Sequence, residues 1–331
     1  MIRRGALWLC VVCILLTVRF GFRHAGYGRE GYASTDIREV RENCRLLGVV
    51  NHPQPDVDVI TTLLKGFRSP SYPQDSGWSL AAYSNYETGG YLGIPNRPMI
   101  VRSQVPILDD HRIWNSVSEL IVRLEPEIVI GHLRNASSGC MHIADPHPFE
   151  QEYLGKHYLM IHNGGIWGKD LEYLTGTLMT SNAEPVNCPG DPIDSEYVFL
   201  YLMERVKAHD GDTWSAIHEW ASTLAQSMTR DWNAMNIIFT DGHILWAVRM
   251  SYRSDRFTLQ YKPVANSTGY AVSTQALGPG WTPLPNFCLA EFRAGHPAFL
   301  YDIPHQELDF YLRPNPVMNP DTLTVFKPGE P

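Results

Sequence analysis

The sequence predicts a mixed α+β domain that follows a removable N-terminal leader. Short apolar runs of strand type end in polar or glycine-rich turns, helical segments with recognisable starts lie between them, and a hairpin signal occurs late in the chain. The composition is 44% hydrophobic and 19% charged, which is typical of a globular protein. No repeat, low-complexity tract or composition break predicts a second domain.

The charge distribution argues against a nucleic-acid partner. The formal charge of the chain is −8, and residues 1–43 hold seven Lys or Arg and four Asp or Glu, a net of +3. Residues 44–331 therefore carry −8 minus +3, which is −11. Because nucleic-acid-binding proteins normally present a basic surface, we expect an acidic, soluble domain instead.

The N-terminus has the pattern of a targeting segment. Arg3 and Arg4 precede a thirteen-residue apolar run, which Arg19 ends and which is short for a membrane span. We expect an exported or membrane-anchored protein, or a cytoplasmic one if the leader results from a mispredicted translation start. The expected parts are a signal peptide or anchor at 1–25, a polar pro-segment or linker at 26–43, and one folded domain at 44–331.

Two strands and two helices are expected in the first part of the domain. The apolar run 44–50 is typical of a buried strand, and 57–67 has helical character before a proline-rich break. A glycine turn leads into a second strand at 78–83. The amphipathic segment 115–124 is expected to be a helix that stops before a proline.

The next two expected strands share one design. The segments 128–134 and 158–165 are apolar and end in polar residues and glycines. Because each strand delivers polar groups and adaptable backbone at its end, we expect the two ends to meet at one site.

The last part of the domain is expected to add two helices and a hairpin. Acidic residues open the helix at 194–207, as the helix dipole favours, and Asp212 or Thr213 caps the helix at 213–228. The turn signal Thr-Asp-Gly-His predicts a hairpin, and beyond Gly278 the proline-rich chain is expected to wrap the surface. The strands expected here are 236–239, 244–250 and 270–273.

The candidate chemistry begins with Cys44 at the start of the first strand. If the mature chain began at Cys44, its own α-amine could act as the base for its thiol. Asn163 and Gly164 could donate hydrogen bonds to a developing oxyanion. Arg134 suits a carboxylate and Asp194 an ammonium, so the set describes a pocket for the α-amino-acid end of a glutamine or γ-glutamyl group.

Six short motifs resemble, in type and order, those of the class II glutamine amidotransferases, which are N-terminal nucleophile (Ntn) hydrolases. The resemblance is greatest to the stand-alone branch and runs from Cys44 to about Gly295. The motifs are Cys-Arg-Leu-Leu-Gly at 44–48, Asp-Ser-Gly-Trp at 75–78, Gly-His-Leu-Arg followed by small polar residues at 131–139, His-Pro-Phe at 147–149, His-Asn-Gly-Gly-Ile at 162–166, and Asp-Ser-Glu at 194–196.

The resemblance implies a fold and a set of roles. The fold would be a four-layer αββα sandwich, with two mainly antiparallel sheets between helix layers. Cys44 would be the nucleophile, with its freed amine as general base, and Asn163 and Gly164 would form the oxyanion hole. The residues implied for substrate binding are Arg134, Asp194 and Ser137.

The chain departs from the family pattern at several positions. Asn135 and Ser138 stand where many relatives have tryptophan and histidine, and Ser76 is inserted in the Asp-Gly-Trp segment. The leader departs further, since 43 residues must leave before Cys44 is free. Arg41 and Asn43 do not suit signal peptidase, so we expect two cuts, the second at the Asn43–Cys44 bond by autocatalysis or by a protease.

The expected activity is release of glutamate from glutamine or a γ-glutamyl amide through a thioester intermediate. No synthase domain or ammonia acceptor is recognised, which favours a hydrolase acting on glutathione-like or ergothioneine-pathway compounds. The alternatives are an Ntn amidohydrolase of other, N-acyl amides and an exported binding protein that retains the fold without catalysis.

The cysteines predict no cofactor. No CxxC pair occurs outside the leader, and the histidine spacings match no zinc pattern, so no metal is expected. In an exported protein a disulfide among Cys140, Cys188 and Cys288 would be compatible with the sequence. The sequence is compatible with a homo-oligomer and does not determine the oligomeric state.

Overall fold

The computed structural model describes nine stretches of the chain. The expected leader and pro-segment lie outside the described residues, as do Ser137, Cys140 and Cys188. The described stretches are 44–51, 56–68, 74–84, 96–135, 147–179, 193–229, 231–251, 257–264 and 269–305.

Strands and helices alternate irregularly along the chain, as expected for an α+β protein. The strands are β1 (Arg45–Asn51), β2 (Trp78–Ser84), β3 (Met99–Ser103), β4 (Pro126–Leu133), β5 (Phe149–Tyr153), β6 (Lys156–Ile166), β7 (Trp232–Thr240), β8 (Leu245–Arg249), β9 (Gln260–Val264), β10 (Gly269–Ser273), β11 (Thr282–Pro283), β12 (Cys288–Phe292) and β13 (Phe299–Asp302). The helices are α1 (Val57–Phe67), α2 (His111–Arg123), α3 (Gly168–Met179), α4 (Asp194–Ala208) and α5 (Thr213–Ser227).

The strands form two antiparallel sheets. The first sheet has seven strands in the order β11-β9-β10-β1-β4-β2-β3, and the second has six in the order β13-β12-β8-β7-β6-β5. β1 pairs with both β4 and β10, which places the strand that Cys44 precedes at the centre of the first sheet.

Three apolar cores divide the sheets and helices into layers. One core packs α1 and α2 on the outer face of the first sheet, and another packs α3, α4 and α5 on the outer face of the second. The third core lies between the sheets and contains Leu46, Ile130, Ile161 and Ile238. Side chains alternate between the two faces of a strand, so these residues identify the face of each strand that looks into the sandwich. The layer order is therefore αββα, and the predicted fold is confirmed.

The local sequence explains why the helices begin where they do. The Asp56 side chain accepts a hydrogen bond from the Val59 N–H at 3.0 Å and caps α1. Asp212 accepts from the Ser215 N–H at 3.3 Å and caps α5 in the same way, as one of the two expected residues. α4 has no side-chain cap, but Asp194 and Glu196 lie in its first turn, where the helix dipole favours negative charge.

Several elements differ from the sequence predictions. The expected turn at 163–165 is part of β6, which pairs with β7 through these residues and shifts register only between Gly165 and Ile166. The chain beyond Gly278 does not merely wrap the surface, because β12 is mostly buried and pairs with β8. α2 begins four residues before the expected start at 115. The elements that the sequence reading missed are β3, β5, β9, β11, β12, β13 and α3.

Among the helices in the described part of the chain, none is long and apolar enough to cross a membrane.

Candidate active site

Cys44 lies at the start of β1, against the end of β4. Leu46 pairs with His132 and Arg45 with Leu133, so the register carries Cys44 to the residues that follow β4. The Cys44 Sγ accepts a hydrogen bond from the Asn135 N–H at 3.4 Å and lies 3.6 Å from the Asn135 carbonyl. The residue is partly exposed, and its thiol is not in a disulfide.

Arg134 is buried directly after β4 and is held there by its backbone. Its N–H donates to the Gly77 carbonyl at 2.9 Å, and its carbonyl accepts from the Ser76 N–H at 3.3 Å. Gly77 has φ +102, and a Cβ there would lie 2.4 Å from the Ser103 carbonyl oxygen, so the position requires glycine. The Asp-Ser-Gly-Trp motif therefore fixes the backbone of Arg134. The residues of the motif alone did not predict this role.

Two opposite charges act on the Cys44 thiol. Burial raises the pKa of Cys44, the Asn135 backbone and the Arg134 guanidinium lower it, and the Asp194 carboxylate raises it. The balance leaves the pKa of the thiol above its ordinary value, so the thiol is protonated at neutral pH and needs a base to become a nucleophile.

Asn163 and Gly164 lie within β6, next to the centre of the second sheet. Asn163 is buried and shares the inward face of β6 with Ile161, since the two residues are two positions apart. A Cβ on Gly164 would lie 1.8 Å from the Ala234 carbonyl oxygen of β7, so only glycine fits. The sequence analysis assigned Gly164 to a turn. In the structure, glycine is required at this position because the backbones of β6 and β7 approach each other closely.

Asp194 connects the start of α4 to the end of β6. Its Oδ2 accepts a hydrogen bond from the Ile166 N–H at 2.7 Å, and the neighbouring Gly165 N–H donates to the Asn233 Oδ1 at 2.8 Å. The carboxylate is therefore oriented by the segment that follows the Asn163-Gly164 pair. Asp194 also remains partly exposed.

His162 and Ser195 form a buried pair beside the candidate site, and the sequence analysis treated them only as parts of motifs. The His162 Nε2 lies 3.3 Å from the Ala234 carbonyl, which can only accept, so Nε2 carries the proton. Burial lowers the pKa of His162, so the ring is neutral, and its Nδ1 accepts from the Ser195 hydroxyl at 2.8 Å. This pair ties α4 to the backbone beside Gly164. The signal in the sequence was the histidine and serine that directly adjoin Asn163 and Asp194.

Buried histidines connect β4 with β6 and with the residues just before β5. The rings of His132 and His147 stack with centroids 4.1 Å apart, and His132 also hydrogen-bonds to the backbone of His162. Burial lowers the pKa of His132 to about 3 and that of His147 well below its usual value, so both rings are neutral. The expected meeting of the two strand ends is thus observed, through histidines rather than through the candidate site residues.

The described residues offer no metal centre. No group of three or more His, Cys, Asp or Glu side chains within the described ranges could hold a metal ion. Cys288 is a free, buried thiol on β12, which removes it from the set considered for a disulfide.

A family model described as class II glutamine amidotransferases matches residues 43–268, more than half of the chain. The chain belongs to the class II glutamine amidotransferases. The matched region contains all of the candidate site residues. They are Cys44, Arg134, Ser137, Asn163, Gly164 and Asp194.

The chain has distant relatives among known proteins. An uncharacterized protein of Methanocaldococcus jannaschii is 27% identical over 216 residues, which cover 64% of this chain and 52% of that protein. A protein of Escherichia coli, named provisionally as a glutamine amidotransferase, is 25% identical over 208 residues, which cover 62% of this chain and 72% of that protein. The chain thus spans about half the length of the first relative.

Solved structures share the fold of this chain. A class II domain protein from Silicibacter pomeroyi covers 78% of this chain and 99% of its own, with a TM-score of 0.50 and 18% identity. The glutamine phosphoribosylpyrophosphate amidotransferase of Bacillus subtilis covers 78% of this chain and 49% of its own, with a TM-score of 0.53 and 12% identity. At these identities the likeness shows the Ntn amidotransferase fold.

Proposed function

We propose that this amidotransferase is a cysteine-dependent hydrolase that releases glutamate from glutamine or a γ-glutamyl amide. The observation that carries the proposal is the pair of opposite charges around the Cys44 thiol, Arg134 and Asp194. A γ-glutamyl group presents a carboxylate and an ammonium on its α-carbon. Arg134 would bind the carboxylate and Asp194 the ammonium, which leaves the γ-carbonyl for the thiol.

The reaction would proceed through a thioester. The Cys44 Sγ attacks the γ-carbonyl carbon, the C–N bond of the amide breaks, and the nitrogen leaves as ammonia or an amine after taking a proton. Water then attacks the thioester carbonyl, the C–S bond breaks, and glutamate and the free thiol are released. The Asn163 side-chain amide and the Gly164 N–H would stabilise the oxyanion of both tetrahedral intermediates.

The general base would be the α-amine of Cys44 itself. Because burial raises the pKa of the thiol, attack needs a proton acceptor, and an α-amine has an ordinary pKa of about 7.7 to 8.0. That amine exists only after the Asn43–Cys44 bond is cut. We therefore also propose export through residues 1–25, followed by a second cut that removes residues 26–43.

The two alternative functions would require different features of the site. An Ntn hydrolase of N-acyl amides would need an apolar pocket where Arg134 and Asp194 lie. A non-catalytic binding protein would retain the fold without freeing Cys44.

The test is an assay of the protein matured in its own host. Glutamine and a series of γ-glutamyl amides are offered to the wild-type enzyme, to Cys44→Ala and to Cys288→Ala. We expect release of glutamate by the wild type and by Cys288→Ala, whose thiol lies in the core between the sheets, and none by Cys44→Ala. Equal glutamate release by Cys44→Ala would contradict the proposal, and so would cleavage of N-acyl amides in preference to γ-glutamyl amides.

A further inference from the structure

An open cavity lies between α1 and α2, on the outer face of the first sheet. Its volume is about 500 Å³, which is within the range of small-molecule pockets. Leu64 on α1 and Trp114 on α2 are buried apolar residues that line its floor. None of the lining residues belongs to the candidate active site.

The lining of this cavity is basic, although the domain as a whole is acidic. Its charged residues are the three cations Lys65, Arg68 and Arg123 and the single carboxylate Glu119, so its net charge is three minus one, which is +2. Residues 44–331 together carry −11. In the described part of the chain, no carboxylate forms an ion pair with Lys65, Arg68 or Arg123. Cations without a paired carboxylate in a concave site attract an anion.

Contacts around the cavity hold both helices in place. The Arg68 Nη1 donates to the Asn115 Oδ1 at 2.7 Å, which joins the end of α1 to α2. The Arg45 Nη1 donates to the Phe67 carbonyl at 3.4 Å, which joins α1 to β1. The rings of Phe67 and Trp114 lie with centroids 6.2 Å apart. The walls of the cavity are therefore fixed without a ligand, and the Arg68 guanidinium keeps further N–H groups that can donate to an anion.

We propose that this cavity is a binding site for a small organic anion with an aromatic or aliphatic body. The body would lie against Leu64 and Trp114, and its phosphate, carboxylate or sulfonate group would bind Arg68 and Lys65. The same chemistry occurs in anionic lipid headgroups, but a cavity of this volume between two helices favours a soluble molecule. The proposal goes beyond the hydrolase function and does not depend on it.

The test uses 1-anilinonaphthalene-8-sulfonate, a soluble probe that combines an aromatic body with a negative charge. Its binding to the protein matured in its own host is followed by fluorescence and by titration calorimetry. Vesicles that contain phosphatidylglycerol are offered separately as a membrane surface. The proteins are the wild type, Arg68→Gln, Lys65→Gln, Glu119→Gln, Ser118→Phe and Arg112→Gln. Thermal unfolding of each variant checks that the fold is retained.

We expect the wild type to bind the soluble probe. Arg68→Gln should weaken binding about tenfold, as expected for the loss of one charge-assisted hydrogen bond. Lys65→Gln, at an exposed position, should weaken it about threefold. Glu119→Gln should strengthen it, because a charge that repels the anion is removed. Ser118→Phe should prevent binding, because Ser118 lines the cavity and the larger ring would fill it. Arg112→Gln is the matched control, since Arg112 is an exposed residue of α2 outside the lining, and it should leave binding unchanged.

Three results would overturn the proposal. Equal weakening by Arg68→Gln and Arg112→Gln would show a general effect of charge, and unchanged affinity in Ser118→Phe would show that the probe binds elsewhere. Binding of the wild type to the vesicles but not to the soluble probe would assign this face to a membrane surface instead. If Ser118→Phe fails to fold, the opposite effects expected of Arg68→Gln and Glu119→Gln decide the question.

Discussion

At the scale of single residues, the proposed chemistry depends on a thiol whose pKa is influenced by one cation and one anion. The Arg134 guanidinium lowers the pKa of Cys44, and the Asp194 carboxylate raises it. The same two charges would hold the substrate. A change in either one should therefore alter both the titration of the thiol and the binding of the substrate.

The titration of the thiol gives the first prediction. Arg134→Gln removes a positive charge that favours the thiolate, so the pKa of Cys44 should rise further. Asp194→Asn removes a negative charge that disfavours the thiolate, so the pKa should fall. The rate at which iodoacetamide alkylates Cys44, followed against pH by mass spectrometry of the peptide that contains this residue, reports both values. Shifts of the two variants in the same direction would contradict this description of the site.

Little of this arrangement could be predicted from individual residues of the sequence. The residue types of Cys44, Arg134 and Asp194 indicated a thiol beside two charges, because each side chain suits one part of a γ-glutamyl group. The contact between His162 and Ser195 could not be predicted, since the two residues are 33 positions apart and belong to different elements. It depends on the packing of α4 against β6.

At the scale of elements, α4 and β6 act as one unit. Asp194 binds the Ile166 N–H and Ser195 binds His162, so the first turn of α4 makes two hydrogen bonds to β6. These contacts fix the position of Asp194, which would bind the ammonium of the substrate, relative to the proposed oxyanion hole on β6. The motif Asp-Ser-Glu thus has a structural purpose beyond helix initiation.

The second prediction concerns Ser195→Ala. Loss of its hydroxyl removes the donor to the His162 Nδ1 and allows the ring to change tautomer, so the Gly164 backbone loses its fixed neighbour. We expect kcat to fall about fivefold with a smaller change in KM, which corresponds to one hydrogen bond of about 1 kcal/mol. The control is Ser215→Ala on α5, which removes a 2.6 Å hydrogen bond from the Ser215 hydroxyl to Asp212, the residue that caps this helix. It should lower stability and leave kcat unchanged, and equal kcat in both variants would refute the positioning role.

The elements themselves were predictable where local signals agreed with the tertiary structure. α1, α4 and α5 have clear starts and helical periodicity, and the β7–β8 hairpin has a strong turn signal. The glycines of β6 resembled a turn because glycine favours turns, whereas here they allow a close approach to β7. β12 was missed because a strand of five residues is hard to recognise within a proline-rich stretch.

At the scale of the whole molecule, buried neutral histidines join the two sheets behind the site. His147 is packed between His132 and Phe149, with ring centroids 4.1 and 4.7 Å away. Burial lowers its pKa, and so do the neighbouring His132, His162, Arg134 and Arg102. Neither ring nitrogen of His147 has a hydrogen-bond partner among the described residues.

The third prediction is that acid destabilises the fold through these histidines. In the unfolded chain they bind protons below about pH 6.5, whereas in the folded protein they stay neutral to a much lower pH. The unfolded state therefore binds more protons in this range, and the free energy of unfolding falls as the pH falls. Each such histidine contributes about 1.4 kcal/mol per pH unit well below pH 6.5.

Urea unfolding between pH 4 and 7 measures this dependence. His147→Phe should reduce its slope by about 1.4 kcal/mol per pH unit, because phenylalanine fills the same space and does not titrate. An unchanged slope in His147→Phe would show that the acid sensitivity lies elsewhere.

The measurement that tests the central claim most directly is the intact mass and N-terminal sequence of the active protein matured in its own host. We predict a chain that begins at Cys44, with the amine that the thiol needs as its base. A fully active enzyme that still carried residues 26–43 would contradict the account, because its Cys44 would have no free amine.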